Sequence, residues 1–261
     1  MHISTETTES GACQSVTQPS YKCAICQDSE FVIEQRPGKV TLSDGTVNEI
    51  LQDVAVSCKC REKRRIERLL KSSQITDEFK KMTFGNFVTS DKPAVIQEMY
   101  AKAYRYVQEF GKEQGTHNSC CFLGQPGAGK THLLAAVTNN LLARGIAVQY
   151  FPWVEGTDEL KSDLEAAKDK IYQMQRVPVL FVDDLFKGRD KPTNWQTEMI
   201  FGIINYRYLN KLPMLVCSER TIAELCAFDE AAASRLVEMS RDYTVVIKRD
   251  ITLNNRLPKE I

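Results

Sequence analysis

Residues 122–134 read FLGQPGAGKTHLL, and the fold turns on this stretch. Gly124, Gly129, Lys130 and Thr131 complete the pattern G-x-x-x-x-G-K-[ST]. Glycines at 124, 127 and 129 let the backbone turn with its N–H groups pointing inward, which makes a nest for anionic oxygens. A helix opening at Lys130 adds its positive end. Lys130 then sets a point charge against the β and γ phosphates of a nucleotide, and the Thr131 hydroxyl is a Mg²⁺ ligand. The binding stretch is therefore Gly124, Gln125, Pro126, Gly127, Ala128, Gly129, Lys130, Thr131 and His132.

Reading outward, a short apolar strand (CCFL, 120–123) precedes the loop, and a helix (THLLAAVTNNLLAR) follows and stops at Gly145. Strand-like IAVQYF, VLFVDD, MLVCS and YTVVI then alternate with helical stretches, and a helix-like run, VIQEMYAKAYRYVQEF, stands upstream. Such alternation predicts an α/β fold with a parallel sheet flanked by helices. VPVLFVDDLF places Asp183 and Asp184 at the end of an apolar strand. Asp183 is expected to hold Mg²⁺ through water, and Asp184 to orient or deprotonate the attacking water.

Other phosphate-loop classes fit less well. Asn210-Lys211 is followed by Leu212 and Pro213, not by the guanine reader N-K-x-D, and neither aspartate has Gly three residues on. No S-G-G-Q type transporter signature occurs. Residues 152–175 are acidic and lack the arginines of a small-molecule kinase lid. Net charge is zero, so any nucleic-acid contact must come from a local patch. No apolar run approaches the roughly 18 residues of a membrane span, and the first residues lack the basic start and apolar stretch of a signal peptide. A cytoplasmic protein with reduced thiols is expected.

Cys23 and Cys26 form C-x₂-C, and Cys58 and Cys60 form C-x-C. Strand-like EFVIE and DVAVS lie between the pairs. A knuckle turns two thiolates to one point, and residues i and i+2 on a strand share a face. Four thiolates suit a closed, structural tetrahedral Zn²⁺ site. Residues 59–71 then carry seven Lys/Arg against two Glu, a basic helix suited to an acidic partner or nucleic acid. The expected organisation is a disordered tail at 1–20, a zinc module at 21–72, a linker at 73–95 and the ATPase domain at 96–261.

With the cysteine pairs, LLKSSQITDEFKKMTFGNF, GQPGAGKT, VDDLF, INYRYLNKLPMLVCSE and ASRLVEM assembled, the chain resembles the DnaC/DnaI-type replicative helicase loaders in their phage and prophage form. The resemblance covers about residues 21–255. It implies a lidless AAA+ core using ATP and Mg²⁺, and the chain runs only to Ile261 after the last motif. It also implies an N-terminal module that binds a hexameric replicative helicase, with single-stranded DNA as a further partner and assembly either with itself or on the helicase. Ser218 falls at the sensor 1 strand tip, where Glu219 replaces a frequent Asn. Arg235 matches the arginine finger offered to a neighbouring subunit. An IstB-like transposition helper, which normally lacks the four-cysteine module, and a zinc nucleic-acid adaptor with an ATP switch are the alternatives.

Overall fold

The computed structural model describes residues 21–258 except 113, 114, 116 and 189, so the expected tail lies outside the described residues. Contacts divide the chain into two compact units at Lys63/Arg64.

The first unit is an antiparallel hairpin of β1 (Phe31–Thr41) and β2 (Val47–Ser57), paired from Phe31↔Ser57 to Thr41↔Val47. Its tip is the Asp44-Gly45 turn, where Gly45 takes φ +85° and the Asp44 carboxylate accepts from the Thr46 N–H. Both strands run well beyond the apolar segments EFVIE and DVAVS. Neither face of the hairpin is buried, so Glu34, Arg36, Asn48 and Glu49 are tolerated in the ladder and no period-2 apolar pattern marks its length. The division between units falls inside helix α1 (Cys60–Ser72).

The second unit is a five-stranded parallel sheet. Its strands are β3 (Cys120–Gly124), β4 (Val148–Pro152), β5 (Val179–Asp183), β6 (Met214–Ser218) and β7 (Thr244–Ile247), in the spatial order β4-β5-β6-β3-β7. Successive side chains feed opposite layers. Phe122, Phe181, Leu215 and Cys217 join one apolar cluster with α3 (Ala94–Glu109) and α4 (Lys130–Ala143). Leu123, Leu180, Val182 and Val216 join the other, under α5 (Trp153–Ser162), α6 (Leu164–Arg176), α7 (Asn194–Leu209), α8 (Ile222–Phe228) and α9 (Glu230–Met239). Because both faces are covered, these strands read as unbroken apolar runs. Asp163, Thr193, Thr221 and Asp229 cap α6 to α9, each such cap being worth about 1 kcal/mol.

Residues 73–95, expected as a linker, carry a short helix, α2 (Asp77–Lys81), and a 3₁₀ turn at Phe84–Asn86. Ile75, Phe79, Phe84 and Phe87 pack against the first apolar cluster. The Tyr150 N–H donates to the Ser73 carbonyl at 3.0 Å, so this segment also covers the exposed edge of β4. Its few large aromatics are spaced for an irregular path over α4, which leaves no helical or strand period.

Candidate nucleotide site and cysteine cluster

The carboxyl ends of β3, β5 and β6 converge on one cavity of about 400 Å³. At the end of β3, Gly124 takes φ +97°, and a Cβ there would collide with the Ile247 carbonyl of β7. Gly127 takes φ +72°, and a Cβ would run into the Asn254 side chain. The loop is thus wedged against the segment that follows β7, and only glycine fits at both contacts.

Lys130 opens α4 and is buried, with its ammonium donating to the carbonyls of Gly124 (2.8 Å) and Gln125 (2.7 Å). Burial lowers its pKa, a cost to the charged form that a bound anion would offset. The Thr131 hydroxyl donates to Asp183 Oδ1 at 2.9 Å, so two oxygens suited to Mg²⁺ sit side by side. Asp183 also accepts from Cys217 Sγ (2.6 Å) and from the Tyr150 hydroxyl (3.1 Å). Burial raises its pKa against the opposing hydrogen bond from Cys217. These three donors fix the buried carboxyl beside the Thr131 hydroxyl. The residues present therefore fit a nucleotide polyphosphate with Mg²⁺.

Asp184 follows with φ +58°, a conformation that turns its carboxylate out of the strand into the cavity. There Lys187 binds both Asp184 (2.7 Å) and Glu219 (3.2 Å). Burial lowers the Lys187 pKa, but the hydrogen bonds and charges of the two acids outweigh it and hold the ammonium above its ordinary value. Glu219 lines the cavity with its charge answered by this lysine. Ser218 is fully buried, donates to the Leu185 carbonyl at 2.6 Å and accepts from the Arg220 N–H at 3.1 Å. Its hydroxyl is engaged in the loop after β5 and is not among the groups lining the cavity.

Arg235 stands elsewhere. Its guanidinium donates to the Ala231 carbonyl at 2.7 Å and lies over Phe201 and Tyr208 of α7, while its buried Nε has no hydrogen-bond partner. It does not line its own chain's cavity. His132 faces the segment before α3, with Nε2 3.0 Å from the Thr83 carbonyl and 3.1 Å from Asn86 Oδ1. Pro126 and Ala128 shape the loop, and the Gln125 side chain accepts from the Asp250 N–H at 3.0 Å.

Sequence reading missed several groups at this site. Tyr150, Cys217 and Lys187 reach the aspartates from three different elements, and Phe79 and Met82 line the cavity from the segment read as a linker. Arg256 lines it too, so the chain does bring an arginine to its own loop. The aromatic spacing in TFGNF was the available signal for the linker's contact, and Arg256 had none.

In the first unit the four cysteines converge. Their sulfurs all lie within 4.8 Å of one another, with Cys23–Cys58 at 3.9 Å and Cys26–Cys60 at 3.3 Å. Zn–S bonds of about 2.3 Å give a tetrahedron with edges of about 3.8 Å, so the cluster fits Zn²⁺. Backbone N–H groups of Cys26 and Ile25 draw the Cys23 thiol down to about 6, while burial and neighbouring thiols push Cys60 up to about 12. The C-x-C pair reaches the point differently from the expectation. β2 ends at Ser57 and Cys60 opens α1, so a strand-to-helix corner, not a shared strand face, brings Cys58 and Cys60 together.

A family model described as the bacterial DnaA ATPase domain matches residues 79–239. The chain is 45% identical to the uncharacterized protein YqaM of Bacillus subtilis (strain 168) over 84% of this chain and 72% of that one. It is 38% identical to the phage-like element PBSX protein XkdC of the same organism, over 91% and 86%. The replicative helicase loader DnaI of that organism is 26% identical over 80% and 67%. Among solved structures, the DnaC helicase loader matches with a TM-score of 0.55 at 26% identity, covering 66% of this chain and all of that one. The family model spans the phosphate loop and β3 to β6, and the chain belongs to the AAA+ ATPases of the bacterial DnaA kind, as a phage-type member of the DnaC/DnaI replicative helicase loader family.

Proposed function

We propose that this chain is an ATP-dependent loader that places a hexameric replicative DNA helicase on single-stranded DNA when replication initiates. One observation carries the reading: a four-cysteine hairpin with exposed apolar side chains precedes a nucleotide core of the DnaC/DnaI kind. Ile33, Leu51 and Val47 share one face of that hairpin and are 64%, 67% and 55% exposed. They alternate along that face with the polar pairs Gln35–Asp53 and Lys39–Glu49, a mixed surface open to a protein partner. In this reading residues 21–72 are a zinc module that grips the helicase, residues 73–95 join it to the ATPase domain at 96–261, and residues 1–20 are a tail. The protein works in the cytoplasm, in keeping with the lack, among the described residues, of any helix long and apolar enough to cross a membrane.

ATP binds with its phosphates in the loop from Gly124 to Thr131, and its base toward Phe79 and Met82. Thr131 and Asp183 would hold Mg²⁺, which would supply charge neutralisation at the phosphates. Asp184 orients the attacking water. Its ion pair with Lys187 must loosen first, which supports slow basal turnover that rises when a partner or single-stranded DNA reshapes the loop after β5. Ser218 reports on the γ-phosphate through its bond to the Leu185 carbonyl in that same loop.

Purified hexameric helicase from the host or its phage should be retained by the full chain when ATP is present. It should also be delivered to a circular single strand that it cannot enter unaided. Lys130→Ala should abolish ATP binding and delivery while leaving the first unit folded. Failure of the wild-type chain to bind or deliver any such helicase, with ATP binding intact, would remove the loader reading.

A further inference from the structure

Asp183 ends β5, which lies between β4 and β6, and its carboxylate is held from both neighbouring strands. Tyr150 of β4 donates its hydroxyl to Oδ2 at 3.1 Å, and Cys217 of β6 donates its thiol to Oδ1 at 2.6 Å. The ladder register explains the meeting. Phe181 pairs with Tyr150 on one side and with Leu215 on the other. Asp183 and Cys217 each stand two residues on, so all three side chains share one face of the sheet. An aliphatic residue at either neighbouring position would complete the apolar run of its strand. A donor stands there instead, aimed at a carboxylate.

Both donors are themselves fixed. The Tyr150 ring is almost fully buried, with its centroid 4.8 Å from that of Phe79 and 5.2 Å from that of Phe181. Its N–H donates to the Ser73 carbonyl at 3.0 Å. Cys217 is fully buried, and its sulfur also accepts the Asp184 N–H at 3.4 Å, so one thiol touches both acidic residues. The last torsion of an aspartate is broad, and a carboxylate held on one oxygen can turn about it. Held on both, its plane is set. Oδ1 then stays 2.9 Å from the Thr131 hydroxyl.

We infer that Tyr150 and Cys217 are positioning residues for the metal of the nucleotide site, fixing the plane of the Asp183 carboxylate so that a divalent cation meets Asp183 and Thr131 together. Groups that orient a metal's ligands typically account for about 10- to 100-fold in metal affinity or activity. The inference rests on Asp183 and Thr131 holding Mg²⁺ beside bound ATP, and the experiment separates the two.

ATP affinity is measured by calorimetry on the full chain, with Mg²⁺ and in magnesium-free buffer, for wild type, Tyr150→Phe, Cys217→Ala, Cys217→Ser and Asp183→Asn. Tyr150→Phe deletes one hydroxyl and keeps the ring packing. It and Cys217→Ala should each weaken ATP about 10-fold or more when Mg²⁺ is present, and by less than about twofold when it is absent. Cys217→Ser keeps a donor and should recover most of what Cys217→Ala loses. Tyr150→Phe and Cys217→Ala responding to Mg²⁺ as wild type does, while Asp183→Asn does not, would overturn the inference and leave the metal site standing. Equal weakening with and without Mg²⁺, or no recovery by serine, would show a merely structural part and would also overturn it. Asp183→Asn keeping the full response to Mg²⁺ would instead refute the metal site, and the inference with it.

Discussion

Removing metal from the first unit should unfold that unit and leave the ATPase core intact. Among the described residues from 21 to 63, Cys26 and Cys58 are the only buried side chains. The hairpin exposes both faces, and an isolated two-stranded hairpin is marginal in water even with good pairing. Little apolar burial is available to offset the roughly 1 to 2 kcal/mol per residue of backbone entropy lost on ordering. A structural Zn²⁺ contributes an apparent 10 to 16 kcal/mol at neutral pH. A bound Zn²⁺ would therefore outweigh every other stabilising contribution visible among the described residues of this unit. Hydrogen exchange read by mass spectrometry resolves the consequence. With Zn²⁺ bound, amides in β1 and β2 should be protected. After a strong chelator they should exchange at the rate of an unfolded chain, while those of β3, β5 and β6 keep their protection. Cys58→Ser should behave as the chelated protein, and metal analysis of the reduced wild type should find one zinc per chain. Protection of β1 and β2 that survives chelation in zinc-free protein would refute the reasoning, because it would mean that the hairpin folds without the cluster.

Asp184→Asn should bind ATP with near-normal affinity, since Asp183 and Thr131 keep the metal, and lose turnover by about 100-fold or more, as measured by phosphate release. Arg207 is completely buried and its guanidinium donates to the carbonyls of Met174, Gln175, Val177, Pro178 and Pro213, joining the end of α6 to the starts of β5 and β6. Arg207→Ala removes a donor from each of those carbonyls and should destabilise the core by more than about 3 kcal/mol in urea unfolding, far above the effect of a surface arginine. Arg235→Ala should keep ATP binding and lose hydrolysis, and mixing it with Lys130→Ala protein should restore some turnover; normal hydrolysis at dilutions where wild type is monomeric would count against a shared site.

The core was legible because its signals are local. The phosphate loop, Asp183 and the five apolar strands are each written in a few consecutive residues, and burial on both sheet faces turns a strand into a plain apolar run. The hairpin was legible as two strands but not in length, since exposure on both sides removes the alternation that marks a strand's ends. The segment before α3 looked like a linker because its anchoring residues are single aromatics at irregular spacing, and their partners in α4, β4 and β5 lie far away in sequence. Cys217 and Tyr150 were hidden for the same reason. In sequence each is one more strand residue, and only the register of β4, β5 and β6 brings both to Asp183.

The placement of the two arginines gives the site a division of labour. Arg256 lines the cavity of its own chain, on a segment that is hydrogen-bonded to Gly127. Arg235 is packed over the rings of Phe201 and Tyr208 of α7 and does not line that cavity. A guanidinium added to the transferring phosphoryl group typically accelerates reaction by about 10³ to 10⁵. If Arg235 makes that contribution, it does so in a neighbour's site. Binding ATP is then a property of the monomer, and hydrolysing it a property of the assembly. On that reading, hydrolysis would wait until several copies stand side by side.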